Sequence, residues 1–235
     1  ICTLRACGAL EKIFPEIDKL FGVLATAFYH QEIDTGVHTL MVLNRACKLS
    51  AKLHIRFAAL VHDLGKAEVP MLNWPSQKGH EDLGCKVIQN MCTKYRLPSK
   101  ICKFAVLVSK LHLRIHKARD LTADEIVDTL ELAGALRDPQ TFLDLLTVAK
   151  ADSLGRGLLG DYPEIAWFFP QQNALQEDDY TQINLWQEML EVCKNVRLNS
   201  QSIKHQSGQQ IRQALRAERC ENVKLIQQAW NLHEK

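Results

Sequence analysis

The chain has 235 residues, of which 46% are hydrophobic and 24% charged, with a formal net charge of +2. That length can bury a sizeable core in one large or two small domains, and the near-balanced charge implies no strong polyelectrolyte partner for the chain as a whole. No run approaches ~18 consecutive apolar residues, so no membrane-spanning helix is expected, and the expected location is cytoplasmic.

The start, Ile1-Cys2-Thr3-Leu4-Arg5, has no initiator Met and no signal-peptide order of charge, apolar run and cleavage site. It reads as the middle of a helix, and a fragment of a longer protein is expected. Residues 2–14 carry Leu4, Cys7, Leu10, Ile13 and Phe14, a helical stripe that Pro15 ends. Residues 21–33 read as a loop. Asp34 or Thr35 caps a helix to about Lys48, with Val37, Leu40, Met41 and Leu43 apolar and His38 among them. Residues 52–64 form another helix that ends in His62-Asp63, with Gly65 as a place for it to stop.

Pro70 to Gln77 is an irregular loop, and Gly79-His80-Glu81 opens a helix to about Tyr95. Pro98 starts the next, which ends near His112 to His116. Thr122-Ala123-Asp124-Glu125 is a capping box for a helix to about Leu136. Asp138-Pro139 opens one that runs to Asp152, where Ser153 to Gly157 breaks it. Residues 156–177, rich in Gly, Pro and aromatics, read as a connector, and 178–196, 208–219 and 221–233 as helices. Almost nothing alternates with strand period, so the expected fold class is all-α. From Lys194 to Lys235 eight Lys/Arg stand against three Glu. That excess fits a solvated face or contact with an RNA backbone.

The eight cysteines (2, 7, 47, 85, 92, 102, 193 and 220) include no Cys-x-x-Cys pair and sit mostly in apolar helical stretches. Free thiols acting as small core hydrophobes in a reducing compartment are expected.

Neighbours on a helix point about 100° apart, yet His62 and Asp63 can both reach one ion near a helix end. An imidazole nitrogen and a carboxylate oxygen suit a divalent transition metal. Two ligands do not make a site, but others are at hand. His38 lies mid-helix among apolar residues, and His80, His112 and His116 lie at helix starts and ends. Asp152 closes a long apolar helix, where a charge needs water or a ligand. Taken singly, each also reads as a satisfied core or surface residue.

Their order, His38, then His62-Asp63, then Asp152, resembles the HD superfamily of metal-dependent phosphohydrolases over roughly residues 30–155. Leu64-Gly65-Lys66 and Gly79-His80-Glu81 strengthen the resemblance. Cys7-Gly8-Ala9-Leu10, Phe14-Pro15-Glu16-Ile17-Asp18, the stretches 32–40 and 57–66, Ala151 to Gly157 and Ile211 to Leu215 are similar to the bacterial CCA-adding enzymes, a family of multifunctional tRNA nucleotidyltransferases. The head of that family carries a Gly-Gly motif and paired aspartates on a sheet, and neither is found here. The resemblance therefore implies the C-terminal, HD-domain portion, which does not add CCA by itself. Residues 200–207 also lack the glycine-rich turn expected before the last helices.

The resemblance implies an HD-domain helical bundle followed by a smaller helical C-terminal tail. Residues 1–20 would end a preceding helical segment, 21–155 form the HD domain, and 156–235 form the tail, open to tRNA contact. Implied activities are divalent-metal-dependent 2′,3′-cyclic phosphodiesterase, 2′-nucleotidase and phosphatase, acting on tRNA 3′ ends and small 2′- or 2′,3′-cyclic nucleotides. His38, His62, Asp63 and Asp152 would hold the metal, with His80 as a further ligand. Nickel, cobalt, manganese and magnesium all stay open, although imidazole-rich ligation favours transition ions over a pure magnesium site. Asp63 would also serve catalysis, and Lys66 would offer charge to phosphate oxygens. His112 or His116 would give a proton to the leaving oxygen or, with His80, bind a second ion. His30 and Asp34 are candidates for partners behind the ligands, while His54, His205 and His233 read as ordinary. Two alternatives remain, a non-catalytic helical body that helps hold tRNA for the absent head and another HD enzyme such as a nucleotide or ppGpp hydrolase. A homodimer is also left open.

Overall fold

The computed structural model describes residues 1–25, 34–156, 180–199 and 207–233. The stripe over 2–14 folds as two short helices, α1 (Cys2–Ala6) and α2 (Ala9–Ile13), rather than one. Gly8 between them takes φ +75°, a left-handed conformation that stops a helix and suits only glycine well. Pro15 opens α3 (Pro15–Asp18), where its missing N–H leaves no bond unmade. Asp34 caps α4 (Thr35–Leu49), accepting the Val37 N–H at 2.9 Å and the Gly22 N–H at 2.6 Å.

α5 (Leu53–Val61) ends just before His62, and a 3-10 turn over Leu64–Glu68 follows Asp63. α6 (His80–Lys94) starts after Gly79 at φ +83°. α7 (Ser99–His116), α8 (Ala123–Leu132), α9 (Pro139–Leu154), α10 (Gln182–Asn195) and α11 (Gly208–His233) follow in order. The capping box of α8 forms in both directions. Glu125 N–H donates to Thr122 Oγ1 at 3.3 Å, and Thr122 N–H donates to Glu125 Oε2 at 2.8 Å. The two helices expected over 208–219 and 221–233 are one, since no Gly or Pro interrupts the stretch and Cys220 is simply buried in it. Among the described residues there is no strand, only an isolated bridge between Leu24 and Asp34, and the fold is all-α. No described helix is long and apolar enough to cross a membrane. The expected connector from residue 157, most of the loop at 21–33 and the turn at 200–206 lie outside the described residues.

One cysteine expectation changes. Cys92 of α6 and Cys102 of α7 form a disulfide, their Cα atoms 6.0 Å apart, while the other six cysteines are free. Two helices brought side by side set that spacing, which a sequence separation of 10 does not announce.

By compactness the chain divides into residues 1–112 with 145–180, and 113–144 with 181–235. In the first unit α4 packs on α5, and α6 packs on the 3-10 turn after Asp63. In the second, α11 packs on α8 and α10. Trp186 anchors its core, with the indole N–H donating to the Ile115 carbonyl at 3.0 Å and the ring edge-on to Phe142. Arg216 of the basic tail reaches Asp124, Asp128 and Glu131 of α8 at 3.1, 2.8 and 3.4 Å. Part of the tail's basic excess is thus committed within its own unit.

Candidate metal centre

Four helices and one turn of the first unit each deliver polar groups to an interior that their neighbours make apolar. His38 shares the buried face of α4 with Met41 and Val42, three and four residues on. His112 follows Ala105 and Val108 on α7 at seven and four residues, and Asp152 follows Val148 and Ala149 on α9 at four and three. Each stands where a core residue would, so its side chain points inward. His62 follows the last residue of α5, and Asp63, at φ −107° and ψ 11°, turns the chain into the 3-10 segment. Gly65 lies in that segment, and its service is closeness rather than the helix stop expected. A Cβ there would overlap the His80 carbonyl oxygen and the Gly84 backbone. The missing side chain lets the His62-Asp63 turn sit on α6 and puts Asp63 beside His80.

The groups meet in two sets. His38, His62 and Asp152 form one, and Asp63, His80 and His112 the other, with ligand-type atoms within 4.8 Å of one another inside each set. Asp152 Oδ1 lies 3.0 Å from His38 Nε2 and 3.9 Å from His62 Nε2. Asp63 stands between the sets. Its Oδ2 faces His62 Nε2 at 3.3 Å and His38 Nε2 at 3.9 Å, while its Oδ1 faces His80 Nε2 at 3.3 Å and His112 Nε2 at 3.5 Å. Lys66 Nζ meets Asp63 Oδ2 at 2.7 Å, and Arg156 Nη2 meets Asp152 Oδ2 at 3.5 Å.

Three of the rings are oriented alike. The Nδ1 atoms of His62, His80 and His112 lie 2.8, 2.9 and 2.9 Å from the carbonyls of Ala59, Gln77 and Ser109. With Nδ1–H donating there, each Nε2 is left as a lone-pair donor, the tautomer of a metal-binding imidazole. Those three Nε2 atoms and Asp63 Oδ1 are buried and make no hydrogen bond among the described residues. Buried polar atoms aimed at one another without hydrogen bonds are costly unless a cation joins them. The donor set therefore fits a divalent metal of the borderline kind that accepts nitrogen and oxygen together.

Charge follows the geometry. Burial pushes the Asp63 carboxyl up, but Lys66 and then His62 outweigh it and hold it well below the usual carboxylate range. Burial pushes His112 below its ordinary value against the pull of Asp63. For His80 burial also acts downward, but the Asp63 carboxylate prevails and leaves it raised. An ionised Asp63 and a neutral His112 are the states metal binding requires.

Of the residues singled out from sequence, His38, His62, Asp63, His80, His112 and Asp152 come together, with Lys66 against Asp63. His116, half-buried at the end of α7, is in neither set. Asp34 is the cap of α4, and His54 lies edge-on to Phe104. His30 and His205 lie outside the described residues, as does the side chain of His233. Two contributors escaped sequence reasoning. Arg156 carried a signal, its position one helical turn after Asp152. Gln77 carried none: it is buried at φ +48°, donates from Nε2 to the Leu24 carbonyl at 2.8 Å, and turns its own carbonyl to His80.

The HD-domain family profile matches residues 35–157, from the start of α4 to just past Arg156. The chain belongs to the HD-domain family. Among relatives named Multifunctional CCA protein, one from Legionella pneumophila (strain Paris) is 38% identical over 237 residues, covering 100% of this chain and 53% of its own length. Another, from Psychromonas ingrahamii, is 49% identical over 153 residues, 65% of this chain and 37% of its own length. A third, from Methylococcus capsulatus, is 45% identical over 175 residues, 73% of this chain and 41% of its own length. The chain spans about half the length of the curated relatives it matches and aligns with their C-terminal portion. HD-domain membership and the His/Asp centre together support an enzyme of metal-dependent phosphohydrolase type.

Proposed function

We propose that this HD domain hydrolyses 2′-phosphates and 2′,3′-cyclic phosphates with a divalent transition metal, as part of a protein that completes or repairs tRNA 3′ ends. Its substrates in this reading are tRNA 3′ termini and small 2′- or 2′,3′-cyclic nucleotides. The observation that carries it is the set of buried Nε2 atoms around Asp63 (His80 and His112 toward its Oδ1, His62 toward its Oδ2), which make no hydrogen bond among the described residues. His38, His62 and Asp152 would hold one ion, and Asp63, His80 and His112 a second. A bound divalent ion supplies positive charge that polarises a phosphoryl oxygen and makes a water easier to deprotonate.

The chain's own groups prepare that chemistry. Lys66 lies against Asp63 and Arg156 against Asp152, so two cations offset two carboxylates. A divalent ion would then leave a net positive pocket that draws in a phosphate dianion. Lys66, only 6% exposed, fixes Asp63 and adds its charge to that pocket. His112 serves here as a ligand rather than as a proton donor, and His116 has no role in the reading. The relatives' name, Multifunctional CCA protein, supports the tRNA setting. A non-catalytic tRNA-supporting body would have no use for this buried set.

Metal analysis of the purified chain, paired with a hydrolysis screen over 2′-, 3′- and cyclic nucleotides, tests the proposal. His62→Ala and Asp63→Ala are expected to abolish metal-dependent hydrolysis of 2′,3′-cyclic AMP while circular dichroism stays helical. Full activity in either variant would sink the metal-centre reading.

A further inference from the structure

Asp152 offers two oxygens, and they face different ways. Oδ1 looks toward His38 and His62, and Oδ2 lies 3.5 Å from the Arg156 guanidinium. An unrestrained carboxylate can rotate, or take an ion with both oxygens. A cation on one oxygen commits the other to the ion alone. A guanidinium suits that task, because it stays charged and presents its N–H groups in a rigid plane.

Arg156 stands two residues past the end of α9, yet its backbone is tightly placed. Gly155 just before it presses on α4, where an added Cβ would come within 2.9 Å of the Val42 backbone nitrogen and Cα. Leu154 before that gives its carbonyl to Arg45 Nε of α4 at 3.2 Å. The helix that carries His38 thus also fixes the turn that carries Arg156. Arg156 Nε is buried with no hydrogen-bond partner among the described residues, and its side chain is only 23% exposed. A guanidinium held this way, at the cost of an unmade bond, has its backbone set by the turn.

We propose that Arg156 is a positioning residue that holds Asp152 by Oδ2, so that Oδ1 alone faces the ion of the His38/His62/Asp152 set; this rests on reading that set as a metal group.

The test uses the full chain, stripped of metal and titrated with Ni²⁺ against a competing chelator. Arg156→Met is expected to weaken one class of ion by about 10–100-fold and leave the other unchanged. Arg156→Lys, which keeps the charge without the planar fork, should recover part of that loss. In an Asp152→Asn background, adding Arg156→Met should change nothing more, because the interaction is already gone. The visible spectrum of the Co²⁺-loaded protein should shift in Arg156→Met, reporting a change in carboxylate ligation. Unchanged Ni²⁺ affinity and spectrum in Arg156→Met, with a raised KM instead, would overturn the positioning role and assign Arg156 to substrate contact. An undiminished loss in the Asp152→Asn background would overturn it as well. Should Arg156→Met fail to fold, Arg156→Gln and Arg156→Lys carry the same readings. A wild-type chain that takes up no ion would overturn the metal group itself, a result distinct from wild-type binding that Arg156 variants do not alter.

Discussion

A buried imidazole can satisfy both nitrogens within the protein or keep one for a guest. His62 and His112 spend Nδ1 on the carbonyl three residues back, a partner that helix geometry supplies and that sequence spacing makes readable. Asp63 is different. That one carboxylate serves both sets of ligands depends on how α6 and α7 pack, and no local pattern carries it. Lys66 was readable as a cation near phosphate, but not as the close partner of Asp63. Lys66→Ala leaves a buried carboxylate without its cation, a loss of about 3–5 kcal/mol in the metal-free chain. Saturating Ni²⁺ should restore much of it, so the melting temperature of this variant gains more from metal than that of wild type. Equal gains in the two, followed by calorimetry, would show that Lys66 and the ion do not share Asp63.

Helix ends were the most readable elements. The capping box at Thr122, the Asp34 cap and the Pro139 start are all formed as spacing and side-chain chemistry indicate. Continuity within a helix was less so. A single glycine at φ +75° divides 2–14, while 208–233 runs unbroken because polar residues alone do not stop a helix. What lay beyond reach was the contact between elements. Gly65 reads equally well as a stop or as a point of closeness until α6 is seen against it. Gly65→Ala forces the turn and α6 apart, a strain of about 1–3 kcal/mol, and moves Asp63 away from His80. The expected outcome is a lower melting temperature with loss of the Asp63/His80/His112 ion first. Ni²⁺ stoichiometry that matches wild type would show that the turn yields without moving Asp63. In the second unit, Trp186→Ala should cost about 3–5 kcal/mol, because a fully buried ring and its bond to Ile115 go together. Chemical denaturation followed by far-UV signal measures it.

The whole molecule sets the order of events. The ligands are gathered from residue 38 to residue 152, and Asp152 meets His38 only after most of the first unit has been threaded between them. Contacts that close long stretches of chain tend to form late on the folding path, since their loop entropy must be met before they stabilise anything. The metal would then lock a finished structure rather than seed it. At a Ni²⁺ concentration 100 times its Kd, binding adds about 2.7 kcal/mol. All of that should appear as an unfolding rate about 100-fold slower, with the refolding rate unchanged. Stopped-flow unfolding and refolding with and without Ni²⁺ would decide it, and faster refolding with metal would mean that the ligands assemble before the barrier. A chain truncated before Asp152 would lack one ligand of the His38/His62/Asp152 set, so in the proposed reading uptake of that ion would report that α9 has been made and has packed against α4.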